Sequence, residues 1–495
     1  MNKSISFGVF SSFIAYAMLL FGSVVQSAFV IRYLSTVDAG IWFLFLGIFT
    51  FINLCDFGLS PTLSRELGLA SYKRNRVYRE RLLYTTVLKL NHILSILVCL
   101  GLCIIFLYIY FQKNIEPHVI YAFILFSLAV IVRFLTNPPM AFIYGYGHVS
   151  MQKWLLAMTS AINAFLGALV LWYGGGLISI SATYLASFTL LFLTASLYVR
   201  YHFKMRITKM ALQITVIKRL LEPCLQWTIM SLGAVLILQI DTFVVAGIVG
   251  IAEVAAFAVI KQLCTAMMGL SSIFNAASVP FISMKKGHSD EQGVYRLFLF
   301  NVKFASMLAV FTAIFIIFNH QQVGHFWLGK DFQFNFALLV IMFITTILEA
   351  HHVSCAQVTM ASGYVKFARI ALIGGVVNII LSLTLAHYYG VIGVGAALLI
   401  AQLLTNNWYV VKVSLRFLKI SYKNYFILVL QLIIYLVVDI MFNYLLYMVM
   451  PIFSDFFYLL MCGVLNLIFF CLFILTMHNE RQIICQFIKR RLQSK

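Results

Sequence analysis

Arg133 and Lys261 stand inside long apolar runs, where an ionised side chain costs roughly 2.5 to 3.5 kcal/mol to insert and therefore needs a cavity or a partner. Arginine offers a planar fork that meets phosphate oxygens two at a time, and lysine a compact point charge, so both suit an anion. The rival reading is structural, with Arg133 paired to Asp56 and Lys261 to Asp241. Glu349, His351 and His352 form the one acid and histidine cluster read at depth, a combination that carries protons in transporters. Asp56 and Asp241 join them as candidates for ion coupling. Adjacent histidines point about 100° apart on a helix, so only one is expected to share the face of Glu349, and hydrogen bonding to neighbouring helices is the alternative role. Arg65, Lys89 and Lys303 lie near run ends, where snorkelling accounts for them. They are also placed to ring an entrance for an anion.

These residues need elements that hold them in a membrane, and the composition supplies them. The sequence is 63% hydrophobic and only 10% charged, which excludes a water-soluble enzyme. The formal charge of +20 would suit nucleic acid in a soluble chain. Here the basic residues fall between apolar runs instead. Runs of about 20 apolar residues can cross roughly 30 Å of hydrocarbon, and the sequence predicts fourteen, from 10–31 to 456–477. One set of loops and tails holds 27 Lys and Arg, including Lys73, Arg74, Arg76, Arg79 and Arg81, while the other holds only Arg32, Lys113 and Lys330. The positive-inside rule then places both termini in the cytoplasm. The apolar stretch of the first run exceeds a signal-peptide h-region, so it reads as a retained helix. The external loops are short, the longest spanning 319–334, and leave no room for an extracytoplasmic catalytic domain. Nine cysteines show neither CxxC nor Cys/His spacing, so free thiols and no metal are expected.

Sliding the chain by 215 residues brings Asn163 onto Asn378, Leu166 onto Leu381, Tyr173 onto Tyr388, Gly175 onto Gly390, Ala182 onto Ala397 and Ala186 onto Ala401. Asp38 falls on Glu253, each followed four residues later by an aromatic, Trp42 and Phe257. Two six-span copies that start on the same side form a parallel repeat, with a pseudo-two-fold axis along the membrane normal. The predicted organisation is an all-α polytopic protein with a six-helix lobe at 1–199, a cytoplasmic linker at 200–222, a second lobe at 223–412, two further helices at 413–477 and a basic tail at 478–495. In the linker Met210, Ile214, Ile217 and Leu221 recur at helical spacing, with Lys209, Gln213 and Lys218 off the stripe, as in a helix lying on the membrane surface. Pro61, Pro280 and the pair Pro138-Pro139 mark expected bends. Tyr144, Tyr146, Trp154 and Trp172 sit at run ends as interfacial anchors.

Asp56-Phe57-Gly58-Leu59-Ser60-Pro61, read as closing the second span, and Asn378 followed by Tyr389-Gly390-Val391-Ile392-Gly393 resemble the polysaccharide transporter family, and within it bacterial O-antigen flippases. That family belongs to the superfamily of multidrug, oligosaccharidyl-lipid and polysaccharide exporters. The resemblance covers the whole chain in span number, orientation and two-lobe repeat. It implies a flippase of lipopolysaccharide biosynthesis in the bacterial inner membrane, moving an undecaprenyl-diphosphate-linked oligosaccharide to the outer leaflet through a V-shaped cavity. Arg133 and Lys261 would then be the leading diphosphate ligands, and a glycan polymerase and a chain-length regulator the expected partners; no cofactor and no nucleic acid are implied. The competing reading is a drug or metabolite extruder of the same superfamily, which would want a narrower, more acidic cavity and usually twelve spans. A membrane glycosyltransferase or polymerase would need a large loop with paired carboxylates or a metal site, and the sequence has neither.

Overall fold

The computed structural model describes residues 3–70, 76–111, 116–205, 213–363, 367–450 and 455–476. Lys73, Arg74, Lys113, Lys209, Met210 and the tail from 478 lie outside them. The helices are α1 (Lys3–Tyr33), α2 (Thr36–Leu54), α3 (Leu59–Ala70), α4 (Arg76–Phe111), α5 (Pro117–Leu135), α6 (Asn137–Gly145), α7 (Val149–Trp172), α8 (Leu177–His202), α9 (Ile214–Leu238) and α10 (Ile240–Val244). They continue with α11 (Ile251–Gly287), α12 (Glu291–Phe318), α13 (His320–Leu328), α14 (Phe336–Ala361), α15 (Ala368–Leu404), α16 (Asn406–Phe417), α17 (Tyr422–Val449) and α18 (Asp455–Thr476). The described residues contain no strand. This is the solution that hydrocarbon imposes, because a helix satisfies its own backbone groups where no water can.

Twelve described helices are long and apolar enough to cross a membrane. Two features separate this number from the fourteen predicted runs. α1 runs 31 residues, of which Ala17–Tyr33 counts as a shorter apolar stretch, and the runs at 369–388 and 391–411 are two helical stretches joined across a kink within α15 and α16. The kink is at Gly390, between the two predicted runs, whose φ of 56° and ψ of −137° are not helical. Only glycine takes such a conformation cheaply.

The second predicted run is split. After α2 the chain turns through Phe57 (φ 45°) and Gly58 (φ 69°) before α3 begins. Asp56 caps the new helix, accepting from the Ser60 backbone N–H at 2.9 Å and from its hydroxyl at 3.1 Å. Pro61 falls in the first turn of α3, where a missing N–H costs nothing. The motif read as closing a span therefore starts a short helix. The pair Pro138-Pro139 does interrupt its run as predicted, separating α5 from α6 at Thr136. Position 280, by contrast, lies within the unbroken α11. In the linker, residues 214–222 form the opening turns of α9, continuous with the span that follows.

Contacts divide the chain into two compact units, one of Met1–Val259 with Ala371–Val394 and the other of Ile260–Ile370 with Gly395–Lys495. The first unit has an aromatic core in which Trp42 meets Phe126 at 5.8 Å and Tyr184 at 4.9 Å, both edge-on. A second cluster there joins Leu63, Tyr84, Phe142 and Leu220, packing α3, α4, α6 and α9 together. In the other unit Phe298, Val302, Cys355 and Val410 form one core, and Met307, Tyr435, Phe470 and Ile474 another.

The repeat recurs as contacts within the first unit. A Cβ on Gly22 would lie 2.7 Å from Ser160 Oγ, and one on Gly375 would lie 2.7 Å from Leu236 Cβ. Shifted by 215, the first contact becomes 237 with 375, one residue from the second. Small residues let α1 approach α7, and α9 approach α15, as membrane helices require in the absence of a hydrophobic drive between them.

Candidate functional site

The first unit holds Asp56 and Arg133 in one polar chain. Arg133 lies at the end of α5, and its Nη1 donates to Asn137 Oδ1 at 2.9 Å. Asn137, one turn on, interacts with the Asp56 carboxylate, on which Arg133 also acts electrostatically. Among the described residues the acid and base are thus joined through an amide rather than by a direct ion pair. The proline break makes this geometry. Pro138 cannot donate to the Phe134 carbonyl, and Asn91 Nδ2 supplies the missing bond at 3.3 Å. Arg65 is exposed on α3, while Lys89 is half-buried on α4. Beside Arg65, the buried Glu66 pairs with Arg219 of α9, a link the sequence reading did not anticipate.

Asp241 is 1% exposed and sits where the seventh predicted run breaks up. α9 ends at Leu238, Gln239 departs from helical geometry (φ −124°), and α10 passes into a π-helical turn at Val245–Val249 before Gly250 (φ 136°). Such interruptions are frequent at functional positions. The carboxylate accepts from Asn378 Nδ2 at 2.9 Å and from Ser382 Oγ at 3.2 Å. The repeat makes this informative, because shifting by 215 puts Gln26 at Asp241, Asn163 at Asn378 and Gly167 at Ser382. Gln26 accepts from the Tyr184 hydroxyl at 2.8 Å, and its amide nitrogen would be 3.6 Å from a Cβ on Gly167. The same crossing therefore carries a neutral amide in one copy and a carboxylate in the other.

In the second unit Lys261 on α11 and Glu349 on α14 both act electrostatically on the Cys264 thiol. Lys303 is buried on α12. The two histidines splay, as the helical angle requires. His351 Nε2 meets the Tyr425 hydroxyl at 2.7 Å and its Nδ1 meets Ser306 Oγ at 3.1 Å. His352 Nδ1 meets the Leu348 carbonyl at 3.2 Å, and its ring lies beside Asn407. Neither histidine has Glu349 as a hydrogen-bond partner among the described residues, so the sequence cluster is not a continuous relay.

Besides Glu66, the buried acids Glu80 and Asp439 were not singled out from the sequence. Asp439 of α17 is fully buried; its Oδ1 accepts from Asn443 Nδ2 at 3.3 Å, and Asn443 also donates to Asn466 of α18 at 2.9 Å. Asp439 Oδ2 and the nearby Tyr435 hydroxyl have no hydrogen-bond partner among the described residues. A lone acid inside the run at 424–450 was the available signal.

Comparison with known proteins closes the description. The family model described as polysaccharide biosynthesis protein matches residues 7–286. A search of curated protein sequences found no significant match. Among solved structures, the chain is similar to a lipid II flippase, MurJ, in an inward closed conformation, with 15% identity, a TM-score of 0.71 and coverage of 97% of this chain and 99% of that one. It is also similar to an inward-facing multidrug resistance transporter of the MATE family in the MOP superfamily, at 14% identity and a TM-score of 0.61, covering 83% of this chain and 99% of that one. A MOP superfamily transporter from Pyrococcus furiosus gives 15% identity and a TM-score of 0.60, over 85% of this chain and 97% of that one.

Proposed function

The chain belongs to the polysaccharide biosynthesis protein family, and from that premise we propose that it flips an undecaprenyl-diphosphate-linked oligosaccharide, an O-antigen repeat unit, across the bacterial inner membrane by alternating access. The observation that carries this reading is the extent of the fold match. The lipid II flippase accounts for 97% of the chain, whereas the multidrug transporter accounts for 83%. Arg133 and Lys261 are assigned to the diphosphate during its passage, and Arg65, Lys89 and Lys303 to gathering it at the basic side. Lobes at 1–199 and 223–412 move against each other, with both termini cytoplasmic, and a glycan polymerase and a chain-length regulator take the product onward.

Ion coupling is assigned first to Asp241, whose buried carboxylate sits at a broken helix, then to Asp56, Glu349, His351 and His352. The test uses the full chain in liposomes with a labelled undecaprenyl-diphosphate glycan and, separately, a cationic drug. Flipping of the glycan lipid that is lost in Arg133→Ala and Lys261→Ala at unchanged protein abundance supports the reading. Transport of the drug with no movement of the glycan lipid would replace it with that of a drug antiporter.

A further inference from the structure

The second unit contains a cavity of about 480 Å³. Three helices build it. α14 contributes Leu348, His351 and His352, α16 contributes Asn407, Trp408 and Lys412, and α17 contributes Tyr422 and Tyr425. α16 exists as a separate helix because Thr405 (φ −122°, ψ −83°) breaks away from α15, which lets Asn407 and Trp408 turn toward α14. The floor is apolar, with Leu348, Val411 and Leu415. Its polar groups include a cation, an amide, two histidines and two phenols. The Lys412 ammonium lies 5.7 Å from the centre of the Trp408 ring, an arrangement that holds the charge over an aromatic face. Both amide atoms of Asn407 are buried, against the His352 ring. His352 is only 7% exposed, and no acid lines the space.

The cavity also has a definite depth. It lies where α16 passes into α17, with Lys412 and Arg416 on α16, Lys419 between the helices and Lys423 on α17, so it is at the basic end of these helices. Trp408 and Tyr422 are exposed there, 52% and 60%, as interfacial aromatics are. A cation, a buried amide and aromatic walls beside apolar side chains fit an anionic headgroup on a hydrocarbon chain. A volume near the lower part of the usual 300 to 1,000 Å³ range for ligand pockets accommodates a phosphate and the first carbons of its anchor.

We propose that this cavity binds a lipid phosphate at the basic membrane interface, held by Lys412 and Asn407 between Trp408 and Tyr425. The inference requires only that the chain is embedded in a membrane, and it stands whatever cargo is flipped. Two lipids present this chemistry at that interface, an anionic phospholipid and a polyprenyl phosphate.

The test is native mass spectrometry of the full chain released from micelles containing phosphatidylglycerol, undecaprenyl phosphate, phosphatidylcholine or inorganic phosphate alone. Retention of phosphatidylglycerol above phosphatidylcholine assigns the site to the bilayer, and retention of undecaprenyl phosphate alone assigns it to the polyprenyl carrier; both support a lipid phosphate. Lys412→Gln should lower the retained fraction about fivefold, matching roughly 1 kcal/mol for one lysine at an anionic lipid surface. Asn407→Leu should lower it as well. Lys419→Gln, which removes a loop cation that instead pairs with Glu291 at 3.4 Å, should not. Lys412 is exposed, so its loss leaves the fold intact. Equal retention of all lipids, retention of free phosphate in place of lipid, or an effect of Lys419→Gln equal to that of Lys412→Gln would overturn the proposal.

Discussion

Asp241 shows how one side chain can give a helix crossing a new property. Its two hydrogen bonds, from Asn378 and Ser382, satisfy a carboxylate that would otherwise be stranded in a low-dielectric interior. Asp241→Asn keeps the shape and removes the charge, so folded yield should stay near wild type while dependence of flipping on a sodium or proton gradient disappears. Flipping in liposomes that keeps its gradient dependence would remove Asp241 from the coupling role. Asp241→Leu strands two donors and should destabilise the chain by about 2 kcal/mol, seen as a lower melting temperature in detergent. Outside the membrane spans, Asp290 caps α12 through the Gly293 N–H at 2.8 Å and takes Lys285 Nζ at 2.7 Å. The Lys285 hydrogen bond is the main reason its carboxyl titrates below the usual range. A depressed folded value stabilises above the unfolded pKa, near 3.9, and loses that contribution as pH falls through the folded value. Asp290→Asn should therefore melt earlier than wild type at about pH 7, and the difference should close by about pH 2 to 3. The sequence makes Arg133 and Asp56 visible as candidate partners because opposite charges at depth are few. It does not reveal Asn137 between them, since that depends on the proline break, and Asp439 was overlooked although its isolation among apolar residues marks it.

The break between α2 and α3 is an element-scale device, and Gly58 is where it is most constrained. Its φ is positive, and an added Cβ would approach Trp227 Cβ to 2.6 Å and the Cys224 carbonyl to 2.9 Å on α9. Gly58→Ala combines a left-handed backbone penalty of about 1 kcal/mol or more with overpacking of about 1 to 3 kcal/mol. The expected outcome is a marked loss of folded protein on size-exclusion chromatography, and a wild-type profile would contradict the packing. The prolines of α6 act through a partner instead. Removing the amide by Asn91→Leu leaves the Phe134 carbonyl buried without its bond, a cost of about 1 to 3 kcal/mol that thermal melting should register. Apolar run length made the long helices legible, and Pro138-Pro139 located one break correctly. The break at Asp56 to Gly58 stayed hidden because its residues are apolar enough to pass as span, and only Phe57 and Gly58 turning left-handed reveals it.

For the whole molecule, the run lengths were enough to read a polytopic all-helical chain. The way side chains meet across helices was not readable, because contacts such as Asn378 to Asp241 join residues separated by 137 positions. If the chain flips a diphosphate lipid outward, about two negative charges move toward the positive side, and a potential of 100 mV favours that step by roughly 4.6 kcal/mol. Glycan-lipid flipping in liposomes under a potassium diffusion potential, at matched pH and sodium, should then follow the sign of the voltage. Transport indifferent to voltage but driven by a proton gradient would move the emphasis to Glu349, His351 and His352. The unequal crossing at Gln26 and Asp241 has a further consequence in the history of the gene. If the two halves descend from one duplicated ancestor, they began under the same selection, yet positions 26 and 241 now answer to different constraints. Gln26 serves one tyrosine hydroxyl and is free to drift among residues that accept from it, whereas a change at Asp241 has to be answered at positions 378 and 382. Across descendants of this gene, 241, 378 and 382 should therefore change together or not at all, while position 26 varies on its own clock.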